Sequence, residues 1–312
     1  MPQAIRWLQA TDADRPFFLW VHLFDPHMPY EPPAPHHRAA RDGAPPLSRL
    51  TWPEILESAD AHGGDLPAEV LVRGLELYGG EVEYADHWVG TLVEELRRLE
   101  RWHETITVLT ADHGECFSNG IFFDHSNCLY DGAIRIPLII RYPPAVTAGT
   151  RIATQVENLD VAPTLLRLSG LRTPPTFQGH DLFLADANLR EPRPAFLQHP
   201  LYRHFDVVER QKVMDRLRSV AGTPTQRILG DQEMAGARTP RWKYLVTGRE
   251  ERLFDLEDDP AEQVDVAARE PDALAQLRRQ TRAWRHEHPL VLQDLEEVDD
   301  EILESLRALG YL

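Results

Sequence analysis

Asp112 and His113 stand side by side, directly after the apolar run 106–109, and Gly114 follows them. A carboxylate and an imidazole so placed can hold a divalent metal ion. Glycine lets the backbone turn sharply behind them. A second polar payload, Asp25-Pro26-His27-Met28-Pro29-Tyr30, follows the apolar run 17–24. In an α/β sheet the carboxyl ends of the strands open on the crevice where ligands bind. Two such strand ends argue for an active site in which His27 and the Asp112–His113 pair converge on one cation.

The elements that must position these groups are legible as periodicities. Residues 2–10 predict a short amphipathic helix. From residue 69 to about 101, Leu77, Tyr84, Trp88, Leu92, Leu96 and Leu99 recur at three- and four-residue spacing, which predicts a long helix. The strand 106–109 comes next, then a short helix near 129–134 and another strand over 136–141, a β–α–β alternation. Asp160 is expected to N-cap a helix over 161–169 that Gly170 ends. Residues 31–67 are rich in Pro, Gly and His and predict a long surface excursion. Two short strands, 242–246 and 252–256, flank a turn at Thr247-Gly248-Arg249. Helices are expected at 207–217, at 271–284 and in the tail, at 301–309. His22 is expected as a satisfied core histidine or one behind the ligands, not as a ligand, and His36 and His37 as a solvated pair.

The chain has 312 residues, 42% of them hydrophobic, which suits one large α/β domain with a small appendage. The expected boundaries are 1–195 and 196–312. A net charge of −17 argues against nucleic acid or an anionic membrane as a general partner. The first ten residues carry no leader, and no run is long and apolar enough to span a bilayer. A cytoplasmic protein is therefore the default expectation. The two cysteines, Cys116 and Cys128, are expected to be free thiols.

Several segments in order resemble the sulfatases of the alkaline-phosphatase-like superfamily. They are residues 16–30, then Tyr78-Gly-Gly-Glu-Val-Glu-Tyr-Ala-Asp86, Thr110-Ala-Asp-His-Gly-Glu115 and Leu129-Tyr-Asp131 with Arg135-Ile-Pro-Leu-Ile-Ile140. Asn158-Leu-Asp-Val-Ala-Pro-Thr-Leu165, Arg241-Trp-Lys-Tyr-Leu245 with Leu253-Phe-Asp-Leu256, and the last seven residues complete the series. Any one of these alone is weak; in register across nearly the whole chain they are specific. The resemblance implies a three-layer αβα sandwich around a mostly parallel mixed sheet, incomplete here, with a small C-terminal antiparallel subdomain.

It also implies a chemistry: hydrolysis of a sulfuric ester on a divalent metal. Calcium is expected first, with manganese or zinc as alternatives. A formylglycine nucleophile attacks sulfur while an acid protonates the departing alcohol. By position, His27 matches the histidine that contacts sulfate and protonates the leaving oxygen. Asp112 and His113 match metal ligands. His125 lies near where relatives reach the sulfate, with Asp124 as the alternative occupant. The implied substrate is a sulfated small molecule or carbohydrate ester.

The family's opening acid pair, its Cys-x-Pro-Ser-Arg motif and its Lys-x-His motif do not occur in these residues. The expectation is therefore the C-terminal portion of a sulfatase, partial or inactive as it stands, with a separately encoded N-terminal segment as a partner. The competing readings are a phosphodiesterase or phosphonate monoester hydrolase of the same superfamily, favoured by a nitrogen ligand at His113, and a non-catalytic remnant or binding module.

Overall fold

The computed structural model describes residues 1–12, 14–37, 47–63, 66–117, 123, 125, 128–183, 193–199 and 233–289. The expected helices at 207–217 and 301–309 lie outside them, as does Asp124. The chain divides into two compact units, one formed by Met1–Thr105 and the other beginning at Ile106.

The first unit is helical. Its elements are α1 (Pro2–Ala10), α2 (Trp52–Ala61) and α3 (Ala68–Arg98). Proline opens α1 at a position where its missing N–H costs nothing. The helix α2 lies inside the excursion expected to be irregular, and Ile55 and Ala59, four residues apart, are buried on it. The long helix α3 ends with Arg97 and Arg98 in its last turn, where cations complement the helix dipole. It buries Leu77 and Leu96 and, unusually, Arg73 and Glu81. Arg73 is satisfied by the Leu47 carbonyl at 2.9 and 2.7 Å and by Glu76 at 3.0 Å.

The run 17–24 is extended and alternates as a strand should, but it joins no β-ladder among the described residues. Phe17 packs edge-on against Trp7 of α1. Phe18 and Trp20 are 76% and 78% exposed on the other side. His22 lies exposed on that side too, so it is no core residue. Of the expected solvated pair, His37 is exposed and His36 is half-buried. The His36 ring lies 5.5 Å from Tyr84 and 5.6 Å from His87, and His37 is 3.3 Å from the Arg73 guanidinium.

The second unit holds β1 (Thr107–Thr110), α4 (Asp131–Ile134), β2 (Leu138–Arg141), α5 (Val161–Leu168), β3 (Ala195–His199), β4 (Met234–Arg238), β5 (Trp242–Thr247), β6 (Glu250–Asp255) and α6 (Pro271–Glu287). β1 pairs with β2 antiparallel, with Thr107 opposite Arg141. β3 to β6 form a four-stranded antiparallel sheet in sequence order.

This corrects the expected mostly parallel sheet and αβα sandwich: the described residues form two small antiparallel sheets. A parallel pair needs a long crossover, usually a helix lying on the sheet. Among the described residues of the connection 111–137 the one helix is the single turn of α4, and β1 and β2 run antiparallel.

The larger sheet is apolar on both faces. Ala237, Tyr244 and Leu253 pack with Leu277 of α6 on one. Leu245, Phe254 and Leu256 pack with Leu129, Tyr130 and Ile134 on the other. Asp160 does not cap α5 through its side chain. It closes the preceding 3-10 turn instead, taking the Glu157 and His180 N–H groups at 2.9 and 2.8 Å and the Arg193 guanidinium. Gly170 follows α5 at φ +72°, a left-handed conformation that suits glycine. Among the described residues no helix is long and apolar enough to cross a membrane.

One buried charge cluster joins α4 to the large sheet. Lys243, fully buried on β5, lies 2.8 Å from Asp131 and 2.9 Å from Glu262. Arg238 of β4 donates two bonds to Asp131, at 2.9 and 2.8 Å. The Asp131 N–H donates to Glu262 at 2.6 Å. Burial pushes the Asp131 carboxyl up, but the bonds from Arg238 and the charge of Lys243 outweigh it and hold the group down at about 2. Glu262 is pushed up by burial.

Lys243→Met should cost about 3–5 kcal/mol, because it leaves the buried Glu262 carboxylate without its cation, read as a lowered urea midpoint. Asp131 stabilises the fold fully above the ordinary carboxylate range, and that contribution is lost as pH falls through about 2. Asp131→Asn should therefore remove this part of the acid limb in a stability–pH profile; an unchanged limb would contradict it.

Candidate functional site

The Asp112–His113 turn follows β1 directly. The Asp112 carboxylate is exposed and takes the N–H of His113 at 2.9 Å. The His113 ring donates from Nδ1 to the Gly114 carbonyl at 2.8 Å. A carbonyl accepts only, so this bond sets Nε2 as the basic nitrogen. Nε2 lies 3.7 Å from Asp112 Oδ2, so a carboxylate oxygen and an imidazole nitrogen sit close together near the surface.

The turn is held from behind by Gly114. Its N–H donates to the Ala133 carbonyl at 2.6 Å. A β-carbon there would stand 2.2 Å from the Gly132 carbonyl. No other residue fits so close a backbone approach. Gly132 is pressed in turn, since a β-carbon on it would meet the Glu115 carbonyl at 2.9 Å. On the other flank, Asn158 donates to the Ala111 carbonyl at 3.2 Å.

His125 joins this group. Its ring stacks on His113 at 3.9 Å and 20°, and its Nδ1 lies 3.2 Å from the buried Glu115 carboxylate. Glu115 thus orients the second imidazole. It stood in the motif Thr110-Ala-Asp-His-Gly-Glu115, but spacing alone assigned it no partner. Cys116 and Cys128 are joined in a disulfide, not free as expected, and they bracket the loop that carries His125. Their twelve-residue separation left pairing open in sequence; the fold brings the two Cα atoms to 6.5 Å.

His27 belongs to the first unit and is placed by its own surroundings. It follows the extended run 17–24, and its ring lies 4.5 Å from Phe24. Its Nδ1 donates to the Met28 carbonyl at 2.7 Å, which makes Nε2 the nitrogen that takes up or releases a proton.

Of the four residues singled out in sequence, the second unit brings Asp112, His113 and His125 together. Asp112 and His113 offer one carboxylate and one imidazole. A hard cation takes about six to eight oxygen ligands. Among the described residues no group of three or more acid, His or Cys side chains is arranged to hold a metal ion. The two donors fit part of a coordination sphere and do not complete one.

The sulfatase family model matches residues 1–171, and the model for the C-terminal region of N-sulphoglucosamine sulphohydrolase matches residues 119–227. The match begins at residue 1 and extends over nearly the whole chain, which corrects the expectation that the chain is merely a C-terminal portion of the family. Choline-sulfatase of Rhizobium meliloti is 27% identical over 270 residues, covering 82% of this chain and 47% of that protein. N-acetylglucosamine-6-O-sulfatase of Bacteroides thetaiotaomicron is 33% identical over 129 residues, covering 40% of this chain and 23% of that one. The crystal structure of a phosphonate monoester hydrolase of Agrobacterium radiobacter superposes with a TM-score of 0.63 at 23% identity, over 91% of this chain and 59% of that chain. This last likeness is one of fold. The chain spans about half the length of the choline-sulfatase it matches.

Gly114→Ala should force the turn away from Gly132 and cost about 2 kcal/mol or more. The check is a thermal melt together with the ring resonances of His113 and His125. A variant as stable as the parent, with unmoved resonances, would show that the contact does not position the turn.

Proposed function

We propose that this chain, which belongs to the sulfatase family, carries the sulfate-facing histidines and two of the metal ligands of a sulfuric ester hydrolase. The observation that carries the reading is the Asp112–His113 turn with His125 stacked on it. Asp112 Oδ2 and His113 Nε2 are assigned to a divalent ion, calcium first and manganese or zinc as alternatives. Such an ion would offset charge on the sulfuryl oxygens. His125, with Nδ1 turned to Glu115, is assigned to the sulfate. His27 Nε2 is assigned the proton that the departing alcohol needs, because its Nδ1 is already committed to Met28.

Neither cysteine supplies the nucleophile in this reading, since each is bonded to the other. The chain is therefore read as binding a sulfuric ester without sustained turnover. A sulfated small molecule or carbohydrate is the substrate class, in line with the choline and N-acetylglucosamine sulfatases it resembles. The charge of −17 opposes a polyanionic partner. A second reading, phosphodiester or phosphonate ester hydrolysis, is favoured by the imidazole at His113, since nitrogen suits manganese or zinc better than calcium.

Calorimetric titration with glucosamine 6-sulfate in the presence of calcium should show metal-dependent binding and little sulfate release. His27→Ala and His125→Ala should each weaken it about tenfold or more, the loss of one hydrogen bond to a charged group. Binding indifferent to calcium and to both substitutions would overturn the assignment. Tighter manganese-dependent binding of a phosphonate monoester would favour the second reading, and steady sulfate release would refute the absence of turnover.

A further inference from the structure

Glu81, in the middle of α3, is a buried carboxyl. It is 2% exposed. One oxygen, Oε1, accepts the Glu31 N–H at 2.6 Å. The other, Oε2, is buried and receives no donor among the described residues. The Asp25 carboxyl acts on Glu81 both through its charge and through a side-chain hydrogen bond. Two ionised carboxylates can only accept, so they repel one another and leave Oε2 unsatisfied. A single proton between them supplies the missing donor.

The same helix face is clasped by the segment that carries these groups. Tyr30 packs edge-on against Tyr78 at 5.5 Å. A β-carbon on Gly80 would meet the His36 carbonyl at 2.7 Å and the Pro32 ring at 2.8 Å. Glu81 thus touches both ends of residues 25–31, Asp25 at one and Glu31 at the other, and His27 lies between them.

We infer that Glu81 and Asp25 share one proton, and that this proton holds residues 25–31, His27 included, against α3. Glu81 is then a positioning residue for His27. Among the described residues, the charged groups that act on it are Asp25 and Glu31, both acids on the loop. Burial, with the charges of those two acids, pushes the Glu81 carboxyl up to about 7 despite the Glu31 N–H that lowers it. The proton is bound more tightly in the closed loop than in the open one. Closure is therefore favoured at low pH and weakens as pH rises from the ordinary carboxylate range through about 7. The consequence for chemistry rests on His27 being the acid; the loop's response to pH does not.

Hydrogen exchange of residues 24–32 in the full chain, corrected for intrinsic rates, tests it without any substrate. Protection should fall about tenfold per pH unit between about pH 5 and 7 and level off above. Glu81→Gln keeps an acceptor for Glu31 and adds a permanent donor toward Asp25, so its protection should stay high and nearly flat. Asp25→Asn offers the donor from the other side and should flatten the profile in the same way. A flat profile in the parent chain, or one equally steep in both amide variants, would overturn the shared proton. A correct profile beside an unchanged sulfate affinity in His27→Ala would leave the proton standing and remove only the role of His27.

Discussion

Four clustered charges, the buried Lys243 and Glu262 with the half-buried Arg238 and Asp131, set the geometry of the second unit. Burying an ion costs several kcal/mol unless its hydrogen bonds are nearly all made. Here most are: Asp131 accepts three bonds from two cations, and Glu262 accepts a backbone N–H and forms an ion pair with the Lys243 ammonium. Because breaking one partner strands the others, the cluster tolerates little movement of α4 against β4 and β5. The turn bearing Asp112 and His113 is then built outward from it. Asp131 fixes the start of α4, Gly132 comes next, and Gly114 can approach the Gly132 carbonyl only in one place. A salt cluster in a sheet is in this way connected, atom by atom, to the orientation of an imidazole at the surface.

The first unit uses buried charge differently. Arg73 on α3 is neutralised by Glu76 and satisfied by the Leu47 carbonyl, so it serves as a fixed post for the chain around residue 47. Glu81, two turns further on, is acted on by two acids, Asp25 and Glu31, instead. Both sit on the same helix and hold down the long connection that precedes it.

Much of the local structure was legible because it depends on short-range periodicity. The three- and four-residue spacing of Leu77, Tyr84, Trp88 and Leu96 yields α3, and the alternation in 242–246 and 252–256 yields β5 and β6. The helix α2 was not legible, since Pro, Gly and His dominate its surroundings and its two buried residues, Ile55 and Ala59, make too short a stripe. The sheet was misread because strand polarity depends on how the connection between β1 and β2 runs, and periodicity carries no sign of direction. Asp160 looked like a helix cap by position, yet its carboxylate is taken by Glu157, His180 and Arg193, two of them distant in the chain.

The residue types suited to metal and sulfate chemistry, and the family they point to, were determined by sequence alone, because an Asp-His-Gly turn after an apolar run and the motifs around it are local patterns. Only the folded chain decided that His125 stacks on His113, that Glu115 orients it, that the two cysteines pair, and that Glu81 meets Asp25. Each of those contacts joins side chains across a loop or between a loop and a helix. Their distances are set by packing and by the need to satisfy buried charge, which no spacing along the chain expresses.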